Sequence, residues 1–260
     1  MIQPLIILGT GGSAYDVLDI VESINADAPR WEVVGFLDDL KPAGCEHLGY
    51  PVLGPLPSAL RFRDCCFINC IGSDRSFRAR PRVVEATGLG LDRFATLVHP
   101  GASVSSRTVL GRGAYVSFGV SLGGGTRVGA HVALCPGCVV GHDSFLDDYA
   151  LVAPAAVLSG FVHLGRCCYI GSRAVVRQHL HVGDGALVGM GAVVLKEVPA
   201  GATVVGVPAR NLPTSRAPVC DPAPAGQHEA IGSNLGEGAV PACGFSAGDP
   251  AERVASVGAR

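Results

Sequence analysis

The sequence predicts two joined folds, an α/β unit of half-Rossmann type and, after it, a left-handed parallel β-helix. Three observations support this fold class. The chain begins with a strand, Gly-rich turn and helix pattern, and Leu, Ile or Val recurs at every sixth position from Val98 to Val194. The 260 residues also include 36 Gly but only 6% aromatic residues, which is typical of a repetitive architecture. We predict domains at residues 1–97 and 98–210, and a low-complexity, disordered tail at residues 211–260.

The α/β unit opens with the apolar run of residues 5–8, which predicts a buried first strand rather than a signal peptide. The turn sequence Gly-Thr-Gly-Gly-Ser-Ala follows at residues 9–14. Apolar residues then recur at the spacing of one helix face, at Val17, Ile20, Val21 and Ile24. This order of strand, turn and helix predicts the start of a dinucleotide-type fold.

Two further strands and a helix complete this unit. The second strand is predicted over residues 31–37 and ends at the pair Asp38-Asp39, and the third covers residues 66–71 and ends at Gly72. Residues 80–87 predict another helix. An acidic residue at the end of the second strand accompanies nucleotide binding in folds of this kind.

The turn at residues 9–14 fits the pattern G-x-G-x-x-A and has two interpretations. It is either a tight turn without a ligand or a loop whose amides hold a diphosphate at a helix N-terminus. About 95 residues are too few for a complete NAD domain together with a substrate domain. A mononucleotide or a nucleotide-sugar therefore fits the unit better.

The six-residue period predicts the second fold. Successive anchors at that spacing would scatter around a helix, and a single strand would alternate every second residue. Short strands with a turn every six residues keep all anchors on one interior axis, as in the hexapeptide β-helix. Three hexads close one coil. Small side chains fill its narrow interior, including those of Cys138 and Cys168, and Gly after many anchors relieves crowding at corners with unusual φ.

Charge and cysteine patterns exclude several classes of protein. A net charge of −2 without a basic cluster disfavours nucleic-acid binding, and no apolar run is long enough to span a membrane. Ten Cys in a chain without a secretion signal suit a reducing, cytoplasmic location. Cys135-x-x-Cys138 lacks a second metal-binding pair, and the His spacings do not match a three-His zinc hydratase. We therefore predict no metal.

One exposed His stands out as a candidate general base. His142 lies two residues after the anchor Val140, so its side chain is predicted to point outward, and Asp143 follows it. A carboxylate beside an imidazole suits proton transfer, although position alone favours a solvated surface His. Coils stack about 4.8 Å apart. Gly160, one coil above, is therefore predicted within reach of a group that reacts at His142.

These motifs, with the ending Gly-Val-Pro-Ala-Arg at residues 206–210, together resemble the bacterial sugar O-acyltransferases of the sialic acid O-acetyltransferase type. That family includes N-acetyltransferases for UDP-4-amino sugars and GDP-perosamine, and the resemblance covers residues 2–210. It implies a homotrimer with acetyl-CoA between adjacent β-helices. It also implies direct acetyl transfer with His142 as general base, Asp143 increasing its basicity, and backbone amides stabilising the oxyanion. By position it implies a nucleotide-sugar pocket of Gly11, Gly12, Ser13, Asp38, Asp39 and Gly72, and cofactor contacts at Leu151, Gly160, Ser172 and Met190.

The chain departs from the family pattern at two positions. Several relatives carry a second His nine residues after the base, where it contacts the acetyl group, and this chain has Leu151 there. Some relatives also carry Asn seven residues before the base, where this chain has Cys135. These departures predict weaker activity, or a different acyl donor, unless a backbone group replaces the lost contact.

The sequence therefore predicts an acetyl-CoA-dependent acetyltransferase that acts on a nucleotide-linked sugar or a surface-polysaccharide precursor. N-acetylation of a 4-amino sugar is favoured slightly over O-acetylation. The alternative is a non-catalytic trimeric scaffold or sensor that binds a nucleotide through residues 9–14, which the absence of His at position 151 supports. An NAD-dependent reductase ranks third, because residues 1–97 contain no recognisable hydride-transfer site.

Overall fold

The computed structural model describes residues 2–213, so the predicted tail lies outside the described residues from residue 214 onward. The N-terminal part is a five-stranded sheet with the strand order β3-β4-β2-β1-β5. All its pairs are parallel except β3 with β4. The elements are β1 Gln3–Leu8, α1 Ser13–Asp27, β2 Trp31–Leu37, β3 Glu46–His47, β4 Tyr50–Gly54, β5 Cys66–Asn69 and α2 Arg80–Ala86, with short 3-10 helices at Leu56–Arg61, Phe77–Ala79 and Leu91–Arg93.

The predicted strands and helices of this part are present, with small shifts at their ends. Helix α1 buries Val17, Ile20 and Val21 on one face, as their spacing predicts. Strand β5 ends earlier than predicted, because the Asn69 side chain accepts a hydrogen bond from the Ile71 N–H at 2.8 Å and turns the chain. The pair β3 and β4 has no counterpart in the prediction. Its strands are short and contain Pro51, which weakens the strand pattern.

The rest of the described chain forms a three-sided parallel β-helix, the predicted second fold. We name its sides by what each presents. The covered face packs against the N-terminal part and contains β6 Leu97–Val98, β9 Tyr115–Val116, β12 Ala133–Leu134, β15 Leu151–Val152, β18 Tyr169–Ile170, β21 Leu187–Val188, β23 Thr203–Val205 and β24 Arg210–Asn211.

The other two sides are open in this chain. The valine face contains β7 Ser103–Val104, β10 Ser121–Leu122, β13 Val139–Val140, β16 Val157–Leu158, β19 Val175–Val176 and β22 Val193–Val194. The histidine face contains β8 Val109–Leu110, β11 Arg127–Val128, β14 Phe145–Leu146, β17 His163–Leu164 and β20 His181–Val182. Along the chain, a strand of the covered face is followed by one of the valine face and then one of the histidine face. The corner between the valine and histidine faces therefore lies opposite the covered face.

The strand register and the interior follow the hexad pattern. Leu122 pairs with Val140, and Val140 pairs with Leu158, so each coil contains 18 residues. Every anchor from Val116 to Val194 is buried. Cys138 and Cys168 are also fully buried, as predicted for small interior side chains. The core of the β-helix is thus a single apolar column, and its burial is the main force that holds the coils together.

Two reasons were predicted for the Gly residues that follow the anchors, crowding and unusual φ angles, and the second is wrong. Positive φ angles occur at the third residue after an anchor, for example at Gly125 and Asp143, and not at the first. The first residue must instead be small because the next coil lies against it. A Cβ on Gly111 would lie 2.5 Å from the Gly129 carbonyl carbon, and one on Gly123 would lie 2.5 Å from the His142 nitrogen. Close stacking of coils therefore selects these Gly residues.

The N-terminal part is joined to the β-helix by apolar and polar contacts. Leu151 and Tyr115 on the covered face belong to the same apolar cluster as β1 and α1. The Arg78 side chain donates a hydrogen bond to the Gly185 carbonyl at 2.9 Å. The Phe94 ring meets the His131 ring edge-on at 4.5 Å. Neither helix of residues 2–213 is long and apolar enough to cross a membrane.

Candidate active site

A cavity of about 460 Å³ opens at the carboxyl ends of the N-terminal strands. Parallel sheets bind ligands at this edge, where the loops that follow neighbouring strands meet. All six residues predicted for the nucleotide-sugar pocket line the cavity: Gly11, Gly12, Ser13, Asp38, Asp39 and Gly72. The described residues that line it include no Lys or Arg. Any anion held here must therefore interact chiefly with amides, hydroxyls and helix α1.

The Gly-rich turn leaves the start of α1 open toward the cavity. Gly9 has φ +100° and packs against Cys70 and Ile71, which explains why a side chain is excluded there. A Cβ on Gly11 or Gly12 would meet nothing. Gly12 is the N-cap, and no side chain caps the first turn of α1. An uncapped helix start with open space above it suits a phosphate.

The two acidic residues fix the loops around the cavity. The Asp38 carboxylate accepts hydrogen bonds from the Thr10 N–H at 2.8 Å, the Thr10 hydroxyl at 2.7 Å and the Leu40 N–H at 2.7 Å. Burial alone would raise the pKa of Asp38, but these hydrogen bonds outweigh it and lower the pKa below its ordinary value. Asp39 accepts a hydrogen bond from the Leu56 N–H at 2.8 Å. Asp38 therefore holds the Gly-rich turn through Oδ2, and its Oδ1 binds the chain just after β2.

Gly72 forms the wall of the cavity nearest the β-helix. A Cβ there would lie 2.7 Å from Arg80 Nη1 and 2.9 Å from Leu151 Cδ1. Leu151 is only 4% exposed and packs with the N-terminal apolar cluster. The structure thus places Leu151 beneath the cavity wall on the covered face, away from the corner that carries His142. The cofactor contact predicted for position 151 stays a prediction.

His142 and Asp143 form an exposed pair at the corner opposite the covered face. His142 Nδ1 lies 2.8 Å from Asp143 Oδ2, and the side chains are 61% and 50% exposed. An ionised carboxylate only accepts hydrogen bonds, so this contact places a proton on Nδ1 and leaves the Nε2 lone pair free. Asp143 reaches the ring because its backbone adopts φ 53° at the corner. The arrangement is suited to removing a proton at Nε2.

The surroundings of the His142 ring are set by the next coil. A Cβ on Gly160 would lie 2.9 Å from His142 Nε2, so the ring lies directly over this Gly. The Phe161 ring meets the His142 ring edge-on at 5.1 Å. The predicted proximity of Gly160 and His142 is therefore present in the structure.

Ser172 and Met190 lie at a different corner, between the covered and valine faces. They occupy equivalent positions in successive coils, and a Cβ on Gly171 would lie 2.6 Å from the Met190 nitrogen. The Met190 side chain is 78% exposed. The valine face lies between this corner and the one with His142 and Gly160. The predicted cofactor positions other than Leu151 thus border one open side of the β-helix.

Burial or a hydrogen bond shifts the pKa of several other His and Cys residues. Burial lowers the pKa of His131 to about 3, with a further contribution from the charge of Arg80. His163 Nε2 lies 2.9 Å from Asp147, and this hydrogen bond raises the His163 pKa. Burial raises the pKa of the Cys135 thiol to about 12. Within residues 2–213, no group of three His, Cys, Asp or Glu side chains is arranged to hold a metal ion.

Several residues of the cavity were missed from the sequence. Leu40 and Leu56 line it and supply the N–H groups that Asp38 and Asp39 bind. Ser73 and Ser76 line it as well, and their hydroxyls lie 3.0 Å apart. The Gly-Ser-Asp sequence after the third predicted strand is the signal that could have indicated Ser73.

Comparison with known proteins agrees with this architecture. Residues 4–85 match the model of the PglD N-terminal domain family. A curated GDP-perosamine N-acetyltransferase from Escherichia coli O157:H7 is 39% identical over 226 residues, which cover 80% of this chain and 96% of that protein.

Solved structures show the same fold over most of the chain. The acetyltransferase domain of PglB from Neisseria gonorrhoeae FA1090, in complex with acetyl coenzyme A, is 28% identical with a TM-score of 0.70. The match covers 82% of this chain and 100% of that one. PerB from Caulobacter crescentus, in complex with CoA and GDP-perosamine, is 28% identical with a TM-score of 0.69 over 82% of this chain and 99% of its own. On the strength of these matches, the chain belongs to the family of sugar acyltransferases that contains GDP-perosamine N-acetyltransferase.

Proposed function

We propose that this protein transfers the acetyl group of acetyl-CoA to the amino group of a nucleotide-linked sugar, with His142 as general base. The observation that carries the proposal is the pair of His142 and Asp143, which holds one ring nitrogen at 2.8 Å and leaves the other free above Gly160. Relatives with this fold bind acetyl coenzyme A, or CoA together with GDP-perosamine.

The proposed reaction needs one proton acceptor and no covalent intermediate on the protein. The sugar amine attacks the thioester carbonyl carbon, and His142 Nε2 takes the proton that the nitrogen loses. The carbon–sulfur bond then breaks, and the proton passes from Nε2 to the departing thiolate. Asp143 stays ionised and keeps Nδ1 protonated throughout, so that the ring always presents the correct nitrogen.

The nucleotide part of the sugar substrate is proposed to bind in the N-terminal cavity. The open start of α1 and the N–H groups of Gly11, Gly12 and Ser13 suit its diphosphate. The relatives that match over most of the chain include enzymes named for a GDP-linked amino sugar. A volume of about 460 Å³ is in the range of pockets for small ligands.

The geometry of one chain supports an assembly of several copies, for which we propose the homotrimer that the family resemblance implies. The cavity wall at Gly72 lies against the covered face, whereas His142 lies at the opposite corner of the β-helix. One chain therefore does not bring the proposed substrate pocket to its own general base. A neighbouring copy can supply the missing half. Acetyl-CoA is proposed to lie along the valine face, between Gly160 and the corner with Ser172 and Met190.

The experiment that tests the proposal is a thiol-release assay with acetyl-CoA and a panel of UDP-, GDP- and dTDP-linked amino sugars. Mass spectrometry of the products identifies the acceptor, and a gain of one acetyl group on nitrogen is the expected result. His142→Ala should lower kcat by about a hundredfold or more while CoA still binds by calorimetry. Asp143→Asn should lower kcat by at least about tenfold, because the amide no longer fixes the tautomer.

His163→Asn is the matched control, because His163 also pairs with a carboxylate, that of Asp147, and both of these side chains are exposed. It should retain activity, provided that its elution on size exclusion matches the unaltered protein. Near-normal turnover in His142→Ala would remove His142 from the mechanism. A protein that binds nucleotide but neither binds CoA nor releases thiol is the non-catalytic scaffold instead.

A further inference from the structure

Among residues 2–213, one cation is fully buried: Arg80, at the junction of the N-terminal part and the β-helix. Arg80 is the first residue of α2. Its Nη1 donates a hydrogen bond to the Ile71 carbonyl at 2.8 Å, and its Nη2 donates a short one to the His131 carbonyl. The guanidinium therefore ties the segment after β5 to a corner of the β-helix.

This charge has no counter-ion among the described residues. No ion pair within residues 2–213 joins Arg80 to a carboxylate. Its ionisable neighbours include Tyr115, Cys135 and Cys70, and burial raises the pKa of each of these groups, which favours their neutral forms. Its Nε has no hydrogen-bond partner. Burial lowers the pKa of Arg80, yet a guanidinium remains protonated in proteins. An unpaired buried charge is costly, so a second role besides packing is expected of it.

Arg80 lies directly behind the wall of the cavity. A Cβ on Gly72 would lie 2.7 Å from Nη1, and Gly72 lines the cavity. The peptide group between Ile71 and Gly72 connects Arg80 to the cavity wall. Its carbonyl accepts the hydrogen bond from Arg80, and its N–H belongs to Gly72. Donation to the carbonyl polarises this peptide and strengthens the N–H as a donor. The described residues that line the cavity contain no cation of their own.

We propose that Arg80 is a positioning residue for the nucleotide-sugar: it fixes the Ile71–Gly72 wall to the β-helix and supplies, from behind that wall, the positive charge that favours a diphosphate. The inference rests on the proposed function, because it assumes that the cavity holds a nucleotide. The proposed positioning role of Arg80 differs from a purely structural role in one measurable respect. Loss of the charge should weaken binding of phosphates more than binding of the nucleoside.

The test uses the full chain with Arg80→Met and Arg80→Lys. Calorimetry compares GDP and UDP with the corresponding nucleosides, and steady-state assays give KM for the nucleotide-sugar and for acetyl-CoA. Arg80→Met should reduce the preference for diphosphate over nucleoside, and raise KM for the nucleotide-sugar, by about tenfold. KM for acetyl-CoA should not change. Arg80→Lys keeps a charge and should retain most of the preference, even if its hydrogen bonds are poorer.

Arg78→Met is the matched control, because Arg78 also joins the two parts through the Gly185 carbonyl but does not line the cavity. It should leave the preference for diphosphate unchanged.

If Arg80→Met does not fold, as thermal melting will show, Arg80→Lys and Arg80→Gln carry the comparison. An equal loss for nucleoside and diphosphate overturns the inference, as does a preference that survives in Arg80→Met. Absence of turnover in the unaltered protein would contradict the proposed function alone, since GDP or UDP binding still tests Arg80. If the unaltered protein binds neither the nucleoside diphosphates nor the nucleosides, the inference is overturned.

Discussion

The ring of His142 lies so close over Gly160 that a side chain at that position would displace it. The distance of 2.9 Å from Nε2 to a Cβ built on Gly160 is shorter than side-chain carbons normally allow. The missing side chain keeps Nε2 accessible to an incoming amine. The absence of a methyl group is therefore part of the proposed active site.

Gly160→Ala should lower kcat without unfolding the protein, because the added methyl displaces the His142 ring from its position beside Asp143. We expect a loss of about tenfold or more, since small displacements of a catalytic group are costly. Gly124→Ala is the control. It occupies the equivalent position one coil before His142, and its Cβ would meet only the Ser105 and Arg107 side chains. Equal kcat values in the two variants would contradict this argument.

Buried His131 should make the protein sensitive to acid. Its pKa is about 3 in the folded chain, against an ordinary value of 6.5. Between these values the unfolded chain binds a proton that the folded chain does not. Stability therefore falls as pH falls below 6.5, by up to about 1.4 kcal/mol per pH unit. His131→Asn should flatten this slope, and Asn tolerates the φ of 56° at this position.

Urea unfolding at pH 7 and pH 4.5 measures the slope. His163→Asn serves as a control, because the pKa of His163 is shifted in the opposite direction to that of His131. Its pKa is raised by Asp147, so its contribution is present below pH 6.5 and is lost as pH rises through the higher pKa. Removal of His163 should therefore not reduce acid sensitivity. An unchanged slope in His131→Asn would show that other groups dominate acid unfolding.

Candidate site residues were predictable where the chemistry is local in sequence. His142 and Asp143 are adjacent, and the predicted pocket residues follow strand ends, so the sequence indicated where they lie, whereas their roles came from the family resemblance and stay predictions. Arg80 gave no such signal, because its partners Ile71 and His131 come from two distant parts of the chain. Leu151 was assigned by position in a family pattern, and only packing shows that it supports Gly72.

At the scale of elements, the coils of the β-helix differ in how well they are closed. Leu158 lies in the middle of the column and is fully buried, whereas Leu110 lies in the first coil and is only partly buried. The first coil has no further coil beneath it among the described residues. Its anchors therefore contact fewer neighbours.

Leu158→Ala should lower the free energy of unfolding by about 2–5 kcal/mol, because it leaves a cavity in a closely packed interior. Leu110→Ala makes the same chemical change at the open end and should cost clearly less. Chemical denaturation of both variants checks the difference. Similar losses at the two positions would indicate that the first coil is as tightly closed as the middle.

The elements of the β-helix were easier to predict than those of the N-terminal sheet. The hexad pattern recurs throughout the β-helix, so each repeat supports the same interpretation. Strands such as Val157–Leu158 follow directly from the anchor positions. The pair Glu46–His47 and Tyr50–Gly54 occurs once and depends on contacts with β2 that local sequence does not show. The role of Gly after each anchor was misassigned because stacking distance, unlike turn type, cannot be read from one coil.

At the scale of the whole molecule, the opposed positions of the cavity and His142 make a prediction about cooperation between copies. If each active site takes His142 from one copy and the cavity from another, two inactive variants should restore activity together. Gly12→Phe, which fills the open space above α1, supplies an intact His142. His142→Ala supplies an intact cavity.

Co-expression of the two variants should recover about a quarter of normal activity, because random assembly pairs an intact half with an intact half at that frequency. The separately purified variants, mixed without exchange of subunits, are the control and should stay inactive. Activity that stays near zero in the co-expressed sample would show that both halves of the site come from the same chain.

The 18-residue register also limits how this protein can change in length. Because Val140 pairs with Leu158 and Leu158 with Val176, one residue inserted within a strand would turn every later outward side chain toward the core. Loss or gain of a complete coil would instead alter the height of the β-helix by about 4.8 Å and leave each residue on its own face. Length variation in such chains should therefore occur in whole coils or in loops at the corners, and the stacking of His142 on Gly160 should survive every such change outside residues 142–160.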